Sequence, residues 1–173
     1  MHDYVKFYIE KIENHARVKK ELLELILIGG LAMSFYEIPR FTIDIDAEIK
    51  CSEEFFSELV EFLKKENINF NISENISGWG IIPLPAGYRE RTITVYKSEV
   101  LILKILEPID FVFSKMLRGT EEDFSDATQV IKRYRITKDS LIGRENLIKY
   151  PKDTETLFFK KKFQHLMELL RSS

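Results

Sequence analysis

Apolar residues first recur at helical spacing. Val5, Tyr8, Ile9, Ile12 and Val18 stand among charges between Tyr4 and about Glu21, which predicts an amphipathic helix. Leu25-Ile26-Leu27-Ile28 is then an unbroken apolar run stopped by Gly29-Gly30. Its length and its glycine stop predict a buried strand. Leu31 to about Glu37 predicts a helix that Pro39 ends. From Thr42 to Lys50 the period changes to two, with Thr42, Asp44, Asp46 and Glu48 on one side and Ile43, Ile45, Ala47 and Ile49 on the other. That is a strand with one acidic and one apolar face. Ser52 is suited to cap a helix running to about Glu66, with Glu53 and Glu54 favourable in its first turn.

Ile68–Ser73 alternates again and predicts another strand. A passage rich in glycine and proline follows, from Gly78 through Pro83, Pro85 and Gly87, read as a loop with room for a short strand. Arg91–Lys97 and Val100–Leu106 predict a hairpin that turns near Lys97-Ser98-Glu99. Pro108 suits the first position of a helix whose apolar face is Ile109, Val112, Phe113, Met116 and Leu117, with Gly119 as its stop. Glu121–Arg135 and Thr156–Leu170 are further amphipathic helices. Strands and helices thus mix around one sheet, and helices gather toward the end: an α/β class, a small mixed sheet flanked by helices with a short C-terminal helical extension. With 173 residues, one domain over 1–173 is expected, its core at about 22–135 and its extension at about 136–173.

Composition acts mainly by exclusion. Lys and Arg number 26 against 28 Asp and Glu, a net charge of -2. General coating of nucleic acid is therefore disfavoured, and a local basic patch stays open. The single cysteine, Cys51, fits a reducing compartment. Met1-His2-Asp3-Tyr4 opens no signal peptide, and no apolar run approaches the ~20 residues of a membrane span. A soluble, cytoplasmic protein with no membrane segment is expected.

The chemistry concentrates in residues 28–48. Two carboxylates at i and i+2 on a strand, Asp44 and Asp46, point to one side. Their repulsion is relieved by a divalent cation with a preference for oxygen ligands, such as Mg²⁺. Gly29-Gly30, 13 residues before Asp44, lets backbone approach a phosphate closely. Singly, these are also what a tight turn and a solvated strand face look like. Joined in one strand–helix–strand unit, they point to a metal and a phosphate held together.

Gly29-Gly30 followed by Asp44-Ile45-Asp46, with Arg40-x-Thr42 ahead of it, resembles the signature of the polymerase-β-type nucleotidyltransferase superfamily. Further along, Pro83-Leu84-Pro85-x-Gly87-Tyr88 with Arg91 is similar to the linker of small bacterial members. Lys115-Met116-Leu117-Arg118-Gly119 with Asp123 and Asp126 is similar to their helix pair, and to the abortive-infection, toxin–antitoxin branch. The resemblance covers roughly residues 22–135. It implies the nucleotidyltransferase-type mixed sheet, Mg²⁺ or Mn²⁺ held by Asp44 and Asp46, and an NTP whose phosphates pass Gly29 and Gly30 with Ser34 nearby. Lys115 and Arg118 are implied to neutralise phosphate charge, and an RNA or a protein hydroxyl is implied as acceptor. Active members carry a third carboxylate on a later strand. Here that stretch reads Thr92-Ile93-Thr94-Val95-Tyr96, and Val100–Leu106 offers only Lys104. Asp123 and Asp126 are the alternatives from the helices. The competing reading is a catalytically degenerate binding module, such as one component of a toxin–antitoxin system with a cognate partner.

Lys115, Arg118, Asp123 and Asp126 also suit a structural ion-pair network across a helical corner. His2, His15 and His165 lack metal-ligand spacing. Trp79 between glycines suits either a core cap or base stacking. Lys160-Lys161-Lys162 reads as a solvated helix face.

Overall fold

The computed structural model describes residues 3–40, 42, 44–78 and 80–170. They form strands β1 (Leu23–Leu27), β2 (Ile45–Lys50), β3 (Phe70–Ser73), β4 (Ile93–Lys97) and β5 (Leu101–Ile105). The helices are α1 (Asp3–Lys19), α2 (Gly30–Met33), α3 (Glu53–Lys65), α4 (Pro108–Arg118), α5 (Glu121–Tyr134), α6 (Lys138–Glu145) and α7 (Thr154–Leu169). A 3-10 turn, Ser34–Tyr36, continues α2. The chain packs as two compact units, residues 1–76 with 92–105, and residues 77–91 with 106–173.

The first unit is built on a five-stranded mixed sheet in the order β3-β2-β1-β5-β4. β1 pairs antiparallel with β2 and parallel with β5. The register sets Leu25 beside Ile49 and Leu103, and Leu27 beside Ala47 and Ile105. On β1, β2 and β5 one face is therefore apolar, because neighbouring strands project the same parity to the same side. α1 covers it: Tyr8, Ile9 and Ile12 line, with Leu25, Leu27 and Leu103, an apolar cavity of about 10 Å³. α3 joins through His15, whose ring stacks on Phe62 at 4.2 Å and Phe55 at 5.6 Å. Ser52 caps α3 as expected, accepting from the Phe55 N–H. The opposite face carries Glu48 and Asp46 on β2, Glu24 on β1 and Lys104 on β5. β4 and β5 form the expected hairpin, with an irregularity between Thr94 and Tyr96. The Tyr96 hydroxyl donates to the buried Glu13 carboxylate of α1 at 2.6 Å.

The second unit is helical among the described residues. Glu107 caps α4, and Gly119 ends it in the left-handed conformation at φ 68°. Thr120 and Asp123 form a capping box at the start of α5. Phe113 stacks against Phe163 at 5.6 Å and Phe159 at 6.4 Å, which fixes α7 on α4.

Elements differ from expectation at their edges. β1 starts two residues before the apolar run, and β2 starts at Ile45 rather than Thr42. The helix expected over 31–37 is one α turn and one 3-10 turn, closed by Glu37 at φ 59°. No strand occurs among the described residues of 78–87. α6 is eight mostly polar residues, too few to show an apolar period. Its sequence signal is Thr137, whose hydroxyl accepts from the Ser140 N–H. Among the described residues, no helix is long and apolar enough to cross a membrane.

Candidate active site

The Gly-Gly turn and the acidic strand meet through backbone first. The Ile28 N–H donates to the Asp46 carbonyl at 3.0 Å, which brings the exit of β1 against the start of β2. Gly29 follows with φ -79° and ψ -157°, values that any residue adopts. Space is what excludes a side chain. A Cβ on Gly29 would lie 2.0 Å from Asp46 Oδ2, 2.7 Å from its Cγ and 2.8 Å from its Cβ. The Asp46 carboxylate therefore sits directly over the Gly29 backbone.

Gly30 is approached less closely. A Cβ there would stand 3.0 Å from Thr42 Cγ2 and 3.3 Å from Arg40 Nε. The Arg40-x-Thr42-x-Asp44-x-Asp46 segment thus folds back along both glycines. Thr42 Oγ1 accepts from the Asp44 N–H at 3.4 Å, a long contact. Asp44 is exposed, Asp46 and Ser34 are half-buried, and Ser34 opens the 3-10 turn. Ile43 lies outside the described residues.

Asp44, exposed, and Asp46, half-buried against the buried Gly29 backbone, are oxygen donors of the kind a hard cation takes. The donor set is oxygen only, without the imidazole or thiolate that would favour a softer metal. Among the described residues, no group of three or more His, Cys, Asp or Glu is placed to hold a metal. Glu48, next along the same face, is buried, and its Oε2 accepts from the Ile76 N–H at 2.9 Å. It fastens the segment after β3. On β5 the same face shows Lys104, paired with Glu24 at 2.8 Å, and no carboxylate.

Lys115 and Arg118 lie in the second unit, with carboxylate partners there. Lys115 is buried, its Nζ 2.7 Å from Asp126 and 3.6 Å from Asp123. Arg118 donates from Nε and Nη2 to both oxygens of Asp123, at 2.7 and 2.8 Å. Burial pushes the Asp123 carboxyl pKa up. Hydrogen bonds from the Arg118 side chain and from the side chain and backbone of Thr120 outweigh it and hold the pKa at about 2. These contacts form the ion-pair network that the spacing allows.

The Pro83–Arg91 segment has a structural explanation. Arg91 grips buried Asp110 with Nε and Nη2, at 2.8 and 3.1 Å, and donates to the carbonyls of Pro85 and Ala86. Gly87, at φ 79°, would place a Cβ 2.8 Å from Arg91 Nη1. Arg144 reaches Asp110 at 2.6 Å and Glu107 at 3.0 Å from α6. Sequence reasoning missed Asp110 and Arg144, which lie 34 positions apart with no local pattern to join them. Lys162 also departs from the expected solvated face: its Nζ donates to the Leu117 and Arg118 carbonyls at the end of α4. Lys160 lies over the Tyr150 ring. Cys51 is half-buried, and burial, then the charges of Glu21 and Glu74, push its thiol up to about 11. His165 meets Phe124 edge-on at 5.0 Å. His2 and Trp79 lie outside the described residues.

A family model described as "Nucleotidyltransferase of unknown function (DUF6036)" matches residues 7–169. No curated protein matches the chain.

Proposed function

The chain belongs to this nucleotidyltransferase family, and from that premise we propose that it moves a nucleotide from an NTP to a hydroxyl of RNA or protein, with Asp44 and Asp46 as the residues that hold a divalent metal. One observation carries the reading: the Asp46 carboxylate lies over the side-chain-free backbone of Gly29, where an added Cβ would come within 2.0 Å of its oxygen. The oxygen read as a metal ligand and the buried Gly29-Gly30 turn are thereby in contact. Mg²⁺ or Mn²⁺, when bound, supplies charge neutralisation and activation of the attacking hydroxyl.

The chain's own residues position. Gly29 and Gly30 let triphosphate oxygens approach the backbone, and Ser34 offers a hydroxyl on the following turn. Thr42 holds the Asp44 backbone through Oγ1. Lys115 and Arg118 enter the reading as the cations that set the α4–α5 corner. A phosphate contact by either competes with Asp126 and Asp123.

A second reading rests on β5, which offers Lys104 where a carboxylate would complete the set. On it the domain is a degenerate module that binds a partner protein, as in a toxin–antitoxin pair. The test offers wild type and Asp44→Asn/Asp46→Asn protein each α-labelled NTP with Mg²⁺ or Mn²⁺, cellular RNA and cellular protein. Label transferred by wild type alone supports the transferase and names its nucleotide and acceptor. No transfer by folded wild type, with a co-purifying partner, supports the binding module.

A further inference from the structure

We propose that the corner between α5 and α6 binds the phosphate backbone of single-stranded RNA. This goes beyond the transferase reading and stands or falls on its own. Lys132, Arg133, Arg135 and Lys138 fall within seven residues, and no Asp or Glu occurs between Asp126 and Asp139. Lys132, Arg133 and Arg135 are exposed, Lys138 is partly so, and Tyr134 among them is 44% exposed. Among the described residues, Lys132, Arg135 and Lys138 form no ion pair.

Local helix physics accounts for only half of this cluster. Lys132 and Arg133 sit in the last turn of α5, where cations suit the helix dipole. Arg135 does not follow that logic. It closes α5 in the left-handed region at φ 52° and ψ 41°, the conformation given to Gly119 at the end of α4. Lys20, Glu37 and Asn67 also adopt positive φ; Lys20 follows Arg17 and Lys19 at the end of α1, but those two cations are paired with Glu13, Glu99 and Glu58. Lys138 is the first residue of α6, where the dipole favours an acid. Two cations are thus kept where the backbone would favour glycine and a carboxylate.

The charge balance agrees. The unit that holds this corner has 15 Lys and Arg against 12 Asp and Glu, whereas the unit with the acidic strand has 11 against 16. The net charge of -2 hides that asymmetry. Closely spaced cations fit a phosphodiester chain, and a half-exposed tyrosine between them offers a face on which an unpaired base stacks.

The test is fluorescence anisotropy of a labelled mixed-sequence 12-nucleotide RNA with the full chain, without NTP or divalent metal. Three to four single-strand phosphate contacts predict a log–log salt slope of about -2 to -3, hence roughly 20- to 50-fold weaker binding at 200 mM than at 50 mM salt. Lys132→Gln/Arg135→Gly/Lys138→Gln should weaken binding more than tenfold and flatten that slope, whereas Lys149→Gln/Lys152→Gln/Lys160→Gln should not. Arg135→Gly alone serves as the fold-safe variant, because glycine suits the left-handed position: it should melt no lower than wild type and still bind more weakly. Asp44→Asn/Asp46→Asn protein should bind the RNA as wild type does, so loss of transfer with retained RNA binding bears on the metal site alone. The proposal is overturned if wild type shows no RNA binding at 50 mM salt or if the triple variant binds as wild type does. Displacement of the RNA by a polyglutamate peptide of equal charge, as effectively as by unlabelled RNA, overturns it too and points to a protein partner.

Discussion

Gly29→Ala is the sharpest perturbation that the site offers, because the backbone tolerates it and the neighbour does not. At φ -79° an alanine meets no conformational penalty. Its methyl carbon would stand 2.0 Å from Asp46 Oδ2 and 2.8 Å from Asp46 Cβ, against an ordinary contact near ~3.5 Å. Because Asp46 Cβ is itself too close, rotating the carboxylate away is not enough, and β2 or the turn must shift by roughly 1 Å. Overpacking of this kind costs about 1–3 kcal/mol, or a Tm lower by roughly 2–12 °C at about 2–4 °C per kcal/mol. The functional loss should be larger than the stability loss. Reacting geometry misplaced by about 1 Å costs on the order of 100-fold in rate, and a metal ligand displaced as far should lose affinity on a similar scale. Gly30→Ala is the internal control: its Cβ would meet Thr42 Cγ2 at 3.0 Å, which a shift of a few tenths of an ångström relieves. Metal-dependent NTP affinity by isothermal titration, with thermal melts in parallel, should show Gly29→Ala down about 100-fold and Gly30→Ala down severalfold at most. Equal affinity for Gly29→Ala and wild type, or equal losses for the two alanines, would refute the placement of the site.

Three further outcomes follow from the contacts. Lys115→Ala leaves Asp126 buried without its cation, which predicts a loss of about 3–5 kcal/mol, read as a drop in urea midpoint, while Lys115→Met/Asp126→Leu recovers most of it. Asp123 has a folded pKa of about 2, below its ordinary 3.8, so its contribution is complete above about pH 4 and is lost as pH falls through about 2. The urea-unfolding difference between wild type and Asp123→Asn should therefore shrink by about 2 kcal/mol between pH 4 and pH 2, and a constant difference would contradict the assignment. Cys51, with its thiol near 11, should react with iodoacetamide at pH 8 roughly 100-fold more slowly than free cysteine, and a rate equal to free cysteine would show the thiol to be open.

The acidic strand was legible because its signal is local. A period of two puts Asp46 and Glu48 on one side of β2, with Asp44 just ahead of the strand, and the glycine stop follows the end of β1. The cap at Ser52 and the stop at Gly119 were likewise written within a few residues. What the sequence did not reveal depends on contacts between distant positions. Arg91, Asp110 and Arg144 form one cluster from a loop and two helices. Lys162 looked like a surface lysine because nothing in its own helix shows that the end of α4 lies beside it. Glu48 reads as part of the acidic face, and only the fold shows that its carboxylate holds the Ile76 N–H. α6 escaped because two turns of mostly polar residues carry too little periodicity to separate a helix from a loop.

The most direct test of the account is Mn²⁺ binding followed by electron paramagnetic resonance, with and without ATP, in wild type and Asp44→Asn/Asp46→Asn protein. It needs no acceptor, so it addresses the metal–nucleotide site alone. The account predicts that wild type sequesters Mn²⁺, more tightly with ATP than without. It also predicts that the double variant, folded to the same thermal midpoint, loses that sequestration at least 100-fold. Identical Mn²⁺ titrations for the two proteins would contradict it.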